Sequence, residues 1–394
     1  MNKKSITFDH ILVHAFYEAV VAFIYGYGVY MLLHKGFSNS MAGLIFSIAS
    51  ICSLILSSVV SNIIDSSKKL NAFEIGIIIS LSLGFSYFLN YITKTPNIYA
   101  ALAFIITVSI HCCLEPITNS LSFLFSRKGV DMKYGVARSM GSLSYAIACA
   151  GFGVIADKYN YPMLLIIAGC FILANAYELL LLNNNYKAIP ATNNSIEQVE
   201  KVSLKEFVKN NKSYVIIAIA LVGIFFCTNG IESFLTVILE NVGGNSKDLG
   251  YCLFFKAILE IPGIFFFDKL NKKFDILTLF KFACFWYPIK MLLTLLATST
   301  TLIYVSQIFH SIPFSLINPC MITLANNTMS KKELTRGVSL LSLAITTGTI
   351  ISSFVCGSII DFISIKAMIL VCLIVCTISC VCLYIAITKF NKTK

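Results

Sequence analysis

Charged side chains are scarce. Asp, Glu, Lys and Arg make up 12% of the 394 residues, against about 25% in soluble domains. So little charge cannot cover a water-facing surface, which excludes an ordinary soluble protein. Alternating ten-residue segments, the mark of a transmembrane β-barrel, are missing too. What remains are apolar runs of about 20 residues, the length of a membrane-spanning helix. In hydrocarbon a helix satisfies its own backbone groups, so an all-α membrane protein is expected. No G-x-x-x-x-G-K-[ST] loop occurs, which argues against a nucleotide-driven pump. No nucleophile–base pairing and no C-x-x-C pair with a partner at zinc spacing is present, so no enzyme, metal or cofactor is expected. All 14 cysteines fall inside apolar runs and read as small buried hydrophobes, not a disulfide frame. The first apolar run lacks a small-residue cleavage site and is expected to stay as a span, not leave as a signal peptide. The longest polar stretch, Asn183–Lys212, is too short for the output domain of a membrane sensor.

Twelve spans can be drawn: 10–33, 40–64, 73–93, 97–125, 135–156, 161–183, 213–239, 247–267, 276–297, 301–326, 338–360 and 367–388. This divides the chain into a six-helix bundle over 1–183, a linker over 184–212 and a second bundle over 213–394. Within the linker, Ser203–Asn210 has the pattern of a short amphipathic helix on the membrane surface. The formal charge of +11 invites a nucleic-acid reading, but its distribution argues otherwise. With the N-terminus inside, the inner segments hold 22 Lys and Arg and the outer loops 5, counting Arg138 at the mouth of span 5 with the inner set. Lys256, Lys281 and Lys290 lie within spans. This bias places both termini in the cytoplasm of a plasma-membrane protein. It sets the excess charge against anionic inner-leaflet lipid, and no nucleic-acid partner is expected.

The halves repeat. Asp65 and Asp268 are 203 residues apart, Asp157 and Asp361 204, and Pro116 and Pro319 again 203. Several coincidences at one offset argue for duplication. Asp65 and Asp268 fall inside whereas Asp157 and Asp361 fall outside, so each half is expected to hold a three-span unit repeated in inverted orientation. That is a transporter architecture, with a solute site near the bilayer midplane.

Ions also stand where lipid should be. An ion in hydrocarbon costs about 3 kcal/mol on insertion scales, so it needs a partner or a wet cavity. Span 8 carries Lys256 and Glu260 four apart, close enough to neutralise each other, and Pro262, which can kink the helix there. Glu18 and Glu178 could instead snorkel to the inner interface, and Lys281 reads as interfacial. Glu115 could cap amides freed by Pro116, and His310 could be a packing histidine. Tyr25 and Tyr27 cannot face the same way on one helix.

Three local signals carry a resemblance. Tyr134-Gly135-Val136-Ala137-Arg138-Ser139-Met140-Gly141 opens span 5. Ser61 to Lys69, with Asp65, Lys68 and Lys69, follows span 2; Ser61 stands where a Gly is usual. Glu260-Ile261-Pro262, Lys290 and Gln307-x-x-His310 mark spans 8 to 10. The whole chain resembles the lactose-permease and nucleoside-symporter branch of the major facilitator superfamily. The resemblance implies a twelve-helix carrier working by alternating access, with spans 1, 4, 7 and 10 lining the cavity. In lactose permeases the signature Arg pairs with a span-4 Glu; here that region offers Asn119 and Ser120, with Glu115 just before Pro116. The expected proton-coupling and cavity residues are Glu18, His111, Glu115, Asn119, Arg138, Glu232, Lys256, Glu260, Lys290, Gln307 and His310. Gating contacts are expected at Asp65, Lys68, Lys69 and Asp268. The expected activity is proton-coupled uptake of a small polar organic solute such as a sugar, nucleoside or organic acid, by a monomer. The alternative is proton-coupled efflux of a hydrophobic or cationic compound.

Overall fold

The computed structural model describes residues 3–66, 70–130, 132–190 and 203–392. Among them there is no strand. Eleven helices are long and apolar enough to cross a membrane: Ser5–His34, Asn39–Ile64, Ala72–Ile92, Ile98–Arg127, Tyr134–Tyr159, Tyr161–Ala188, Lys212–Ser233, Ile276–Leu295, Thr300–Thr328, Lys332–Phe362 and Ile365–Thr388. A bent pair, Ser246–Phe265 with Phe267–Lys273, makes the twelfth and takes the place of span 8. Large apolar side chains stand exposed along these helices, for example Ile55, Phe85, Phe265 and Ile374. A surface of that kind is stable against acyl chains and not against water.

Local chemistry sets the helix ends. Asn71 with Glu74, Asn245 with Asp248 and Ser330 with Glu333 each close a capping box. Asn160 sits between spans 5 and 6 at φ 61°, the one non-glycine residue with positive φ among those described. Asn tolerates that conformation, and its side-chain oxygen accepts the Tyr161 N–H at 2.7 Å. Span 6 does not stop at 183; it runs to Ala188. Asn183 is buried and accepts a hydrogen bond from Asn71, while the exposed Lys187 pairs with Glu74 at 2.6 Å, so two polar contacts tie this end of span 6 to the start of span 3. A short helix Leu204–Asn210 does form, capped by Ser203. It buries Phe207, and Asn210 and Asn211 donate to Glu333. The stretch 191–202, the rest of the expected linker, lies outside the described residues.

Several spans are broken. Span 1 loosens into a π-helix over Ala22–Tyr27. That segment turns Tyr25 out, 44% exposed, and Tyr27 in, 0% exposed, where its hydroxyl donates to the Cys149 carbonyl at 2.7 Å. Span 4 breaks at Cys113 and span 7 at Phe234. Pro116 therefore falls in the first turn of Leu114–Arg127, where a missing N–H costs nothing. Span 8 bends by 46° at Phe266, not at Pro262. The helix runs through the proline because the Pro262 carbonyl still accepts the Phe266 N–H at 2.9 Å. Span 10 stays continuous over Pro313 and Pro319.

The chain forms two compact units, Met1–Ser195 and Ile196–Lys394. In the first, span 1 packs on spans 5 and 6, span 3 on spans 4 and 6, and span 2 on span 4. In the second, span 7 packs on spans 11 and 12, span 9 on spans 10 and 12, and span 8 on span 10. Adding six to each number in the first set gives the second. Exchanging the first three spans of a unit with its last three also returns the same set. The packing itself is thus repeated between units and inverted within each.

Candidate functional site

In the first unit, Glu18 on span 1 and Arg138 on span 5 form an ion pair at 2.8 Å. The glutamate side chain is 12% exposed and the arginine 45%. Gly141 makes the approach possible: a Cβ there would lie 2.9 Å from Glu18 Cγ. The signature arginine therefore pairs with span 1, not span 4. Arg138 also donates to Ser142 at 3.2 Å, and Tyr134 donates to Asn119 at 3.1 Å. Glu115 stands exposed in the first turn after the span-4 break. His111 is buried, stacks on Tyr17 with centroids 4.9 Å apart, and has no hydrogen-bond partner at either ring nitrogen.

In the second unit, one carboxylate holds two ammonium groups. Glu232 of span 7 meets Lys256 of span 8 at 3.0 Å and Lys290 of span 9 at 2.9 Å. Lys290 is fully buried, and its Nζ lies 3.2 Å from His310 Nδ1 on span 10. An ammonium has only donors, so His310 must accept at Nδ1 and carry its proton on Nε2. That Nε2 is buried without a partner. The Ser311 hydroxyl donates to the Lys256 carbonyl at 3.0 Å, tying span 10 to span 8. Gln307, one turn before His310, is fully buried, and neither atom of its amide is hydrogen-bonded. The charge balance corrects one expectation: the acid that Lys256 pairs with is Glu232 of another span, not Glu260 four residues on. Glu260 has a buried Oε1 with no hydrogen-bond partner. One span's own spacing lost to three spans converging, because a carboxylate can accept from both ammonium groups at once.

Other expected residues fall elsewhere. Asp268 is exposed in the first turn of Phe267–Lys273. Lys68 and Lys69, and the side chain of Asp65, lie outside the described residues. Glu178 does not snorkel: it is 8% exposed, with a buried Oε2 that lacks a partner. Lys281 rests over the Tyr384 ring at 5.1 Å. None of the 14 cysteines forms a disulfide. Among the described residues no group of His, Cys, Asp and Glu could hold a metal ion. Sequence reasoning passed over His10 and His14, both buried on span 1; their spacing of four from each other and from Glu18 was the signal available.

A profile of the MFS_1 like family matches residues 11–370. No curated protein matches the sequence. The fold is similar to that of the nucleoside transporter NupG, with TM-score 0.77, 17% identity and 99% of each chain covered. It is also similar to a bacterial homolog of the human lysosomal transporter Spinster, with TM-score 0.73, 12% identity, and 99% of this chain and 98% of that one covered. The POT family transporter PepTSo gives TM-score 0.73 at 10% identity, with 98% and 97% covered. These likenesses establish a twelve-span transporter fold, and the family match covers most of the sequence. The chain belongs to the MFS_1-like family of major facilitator transporters.

Proposed function

We propose that the protein is a proton-coupled carrier that takes up a small polar organic solute by alternating access. The observation that carries this reading is the cluster in the second unit. Glu232 holds Lys256 and Lys290 between spans 7, 8 and 9, with His310 alongside and Glu260 one turn from Lys256. Buried charges demand balance. With Glu260 ionised, its charge and those of Glu232, Lys256 and Lys290 sum to zero. With Glu260 protonated, the cluster carries a surplus positive charge that an anionic or strongly dipolar solute can neutralise. Protonation and solute binding are then linked through one charge balance. Glu18 with Arg138 is the corresponding acid–base pair of the first unit. Gln307, with its free amide, is available to orient a hydrogen-bonding solute. Asp65, Lys68, Lys69 and Asp268 take gating roles. The protein works as a monomer in the plasma membrane, with both termini inside. Nucleosides and peptides are the solute classes to try first, given the transporters whose fold it shares, with sugars and organic acids beside them as small polar solutes.

A second reading, efflux of a cationic compound, draws on the first unit, where Glu18 and Glu115 outnumber Arg138. Proteoliposomes separate the two. Labelled nucleosides, sugars and dipeptides are offered under an inward proton gradient, with and without a protonophore. Protonophore-sensitive accumulation of one class is expected, and Glu260→Gln removes its pH dependence. Expulsion driven by the same gradient supports efflux, accumulation of no class by wild-type protein ends the uptake reading, and pH dependence intact in Glu260→Gln ends the assignment to Glu260.

A further inference from the structure

His10, His14 and Glu18 follow one another at intervals of four on the helix Lys3–Val21, which lines them up on one face. His10 and His14 are each 1% exposed, and their rings meet edge to face with centroids 4.9 Å apart. Both ring nitrogens of His10 and Nε2 of His14 are buried without a hydrogen-bond partner. A packing histidine would spend its N–H on a nearby carbonyl, as Asn175 does here by donating to the Val13 carbonyl at 2.9 Å. Three uncommitted ring nitrogens in a row need another explanation.

The surroundings give one. Span 5 brings Tyr134 to 5.8 Å from the His14 ring and Arg138 to 2.8 Å from Glu18. Gly141 of the same span comes in between the two levels: a Cβ on it would lie 2.9 Å from Glu18 Cγ and 3.3 Å from the His14 carbonyl oxygen. Ser144 donates to the Ala15 carbonyl at 2.8 Å and fixes that approach. Span 4 brings Glu115 within electrostatic reach of Glu18, and His111 against Tyr17. Span 6 brings Glu178, within electrostatic reach of Asp9. Carboxyls thus stand at both ends of the histidine pair: Glu18 above, Asp9 and Glu178 below, toward the N-terminal end of span 1.

We propose that His14 and His10 relay protons between Glu18 and the Asp9–Glu178 end of span 1. This rests on the proton-coupled reading of the carrier. The O–H bond of protonated Glu18 breaks as an N–H bond forms on one ring nitrogen of His14. His14 releases the proton from its other ring nitrogen to His10, directly or through one water. His10 repeats the exchange toward the Asp9 and Glu178 carboxylates. Each ring ends as the other neutral tautomer and a ring rotation resets it; Glu18 is left ionised beside Arg138. No group is oxidised or reduced.

The test is time-resolved infrared spectroscopy of the full chain in lipid nanodiscs after a rapid pH jump between about pH 5 and pH 8. The protonated-carboxyl band lost in Glu18→Gln reports Glu18. His14→Gln and, one turn further from Glu18, His10→Gln are each expected to slow that band by about a hundredfold. A purely structural role would shift the pH at which the band appears without slowing its approach to equilibrium. Unchanged rates in both variants overturn the relay, as does a Glu18 band that does not respond to pH. Gradient-driven solute accumulation alongside unchanged rates keeps the carrier and ends the relay. Slowed rates in a protein that accumulates no solute keep the relay and end the uptake reading.

Discussion

At the scale of single residues, two of the ion pairs teach different lessons about cost. Arg138 is nearly half exposed where it meets Glu18, and water screens that pair. Exposed pairs contribute about 0–1 kcal/mol. Lys290 is fully buried against a Glu232 that is itself 14% exposed, so neither can fall back on water. Breaking a buried pair by removing one partner costs about 3–5 kcal/mol, because the other charge is left uncompensated. Glu232→Gln is therefore expected to lower stability by about that much, and Arg138→Gln by about 1 kcal/mol or less. Melting temperatures in detergent check the ranking. Adding Lys256→Met and Lys290→Met to Glu232→Gln should restore much of the loss; if it does not, the loss does not come from stranded ammonium groups. Residue identity made Glu232, Lys256, Lys290 and His310 legible as ions out of place. Their partnership was not legible, because it joins four spans and no spacing along one of them encodes it.

At the scale of helices, close contact depends on the absence of side chains. A Cβ on Gly348 of span 11 would sit 2.8 Å from the Phe225 carbonyl carbon and the Phe226 nitrogen of span 7. Backbone cannot rotate away as a side chain can, so Gly348→Ala must push the two spans apart. Small residues at such crossings are what lets membrane helices pack. Overpacking of this kind costs about 1–3 kcal/mol. A Cβ on Gly151, inside the helix Tyr134–Tyr159, would meet no atom within 4 Å, and Gly151→Ala is expected to raise stability by up to about 1 kcal/mol. Thermal unfolding of the two variants separates a glycine that is needed from one that is merely present. The breaks at Ala22–Tyr27, Cys113 and Phe234 fall on spans 1, 4 and 7, each the first helix of a three-span repeat. Sequence reasoning looked for breaks at prolines and found Pro262. The bend lies four residues later, at Phe266, because a proline removes one donor and leaves its own carbonyl free to continue the ladder.

At the scale of the whole molecule, the repeat is seen twice over, once in spacings of 203 and 204 residues between like-placed residues and again in which spans pack on which. The excess of Lys and Arg in alternate loops predicts an orientation that can be tested by mapping. Reporter fusions at both tails and in the 191–202 stretch are expected to read as cytoplasmic, and fusions in the turns at Gly36 and Gly243 as external. A C-terminal tag reached from outside the cell would overturn the orientation.

The sequence by itself determined that this chain lives in a membrane, that it holds up to twelve stretches long and apolar enough to cross it, and that its halves repeat. Those properties are carried by run length, charge count and offset, which one dimension records in full. It also marked most of the ions that matter, since a charge within an apolar run is costly wherever its partner lies. Only the tertiary structure decided which charges share a hydrogen bond: that Glu232 serves two lysines, that Arg138 turns to Glu18, and that His10 and His14 are buried with nitrogens to spare. Those outcomes depend on how two to four helices are rotated and spaced against one another, and that is set by packing between spans remote in the chain, as where Gly141 of span 5 admits Glu18 of span 1 and Gly348 of span 11 admits the backbone of span 7.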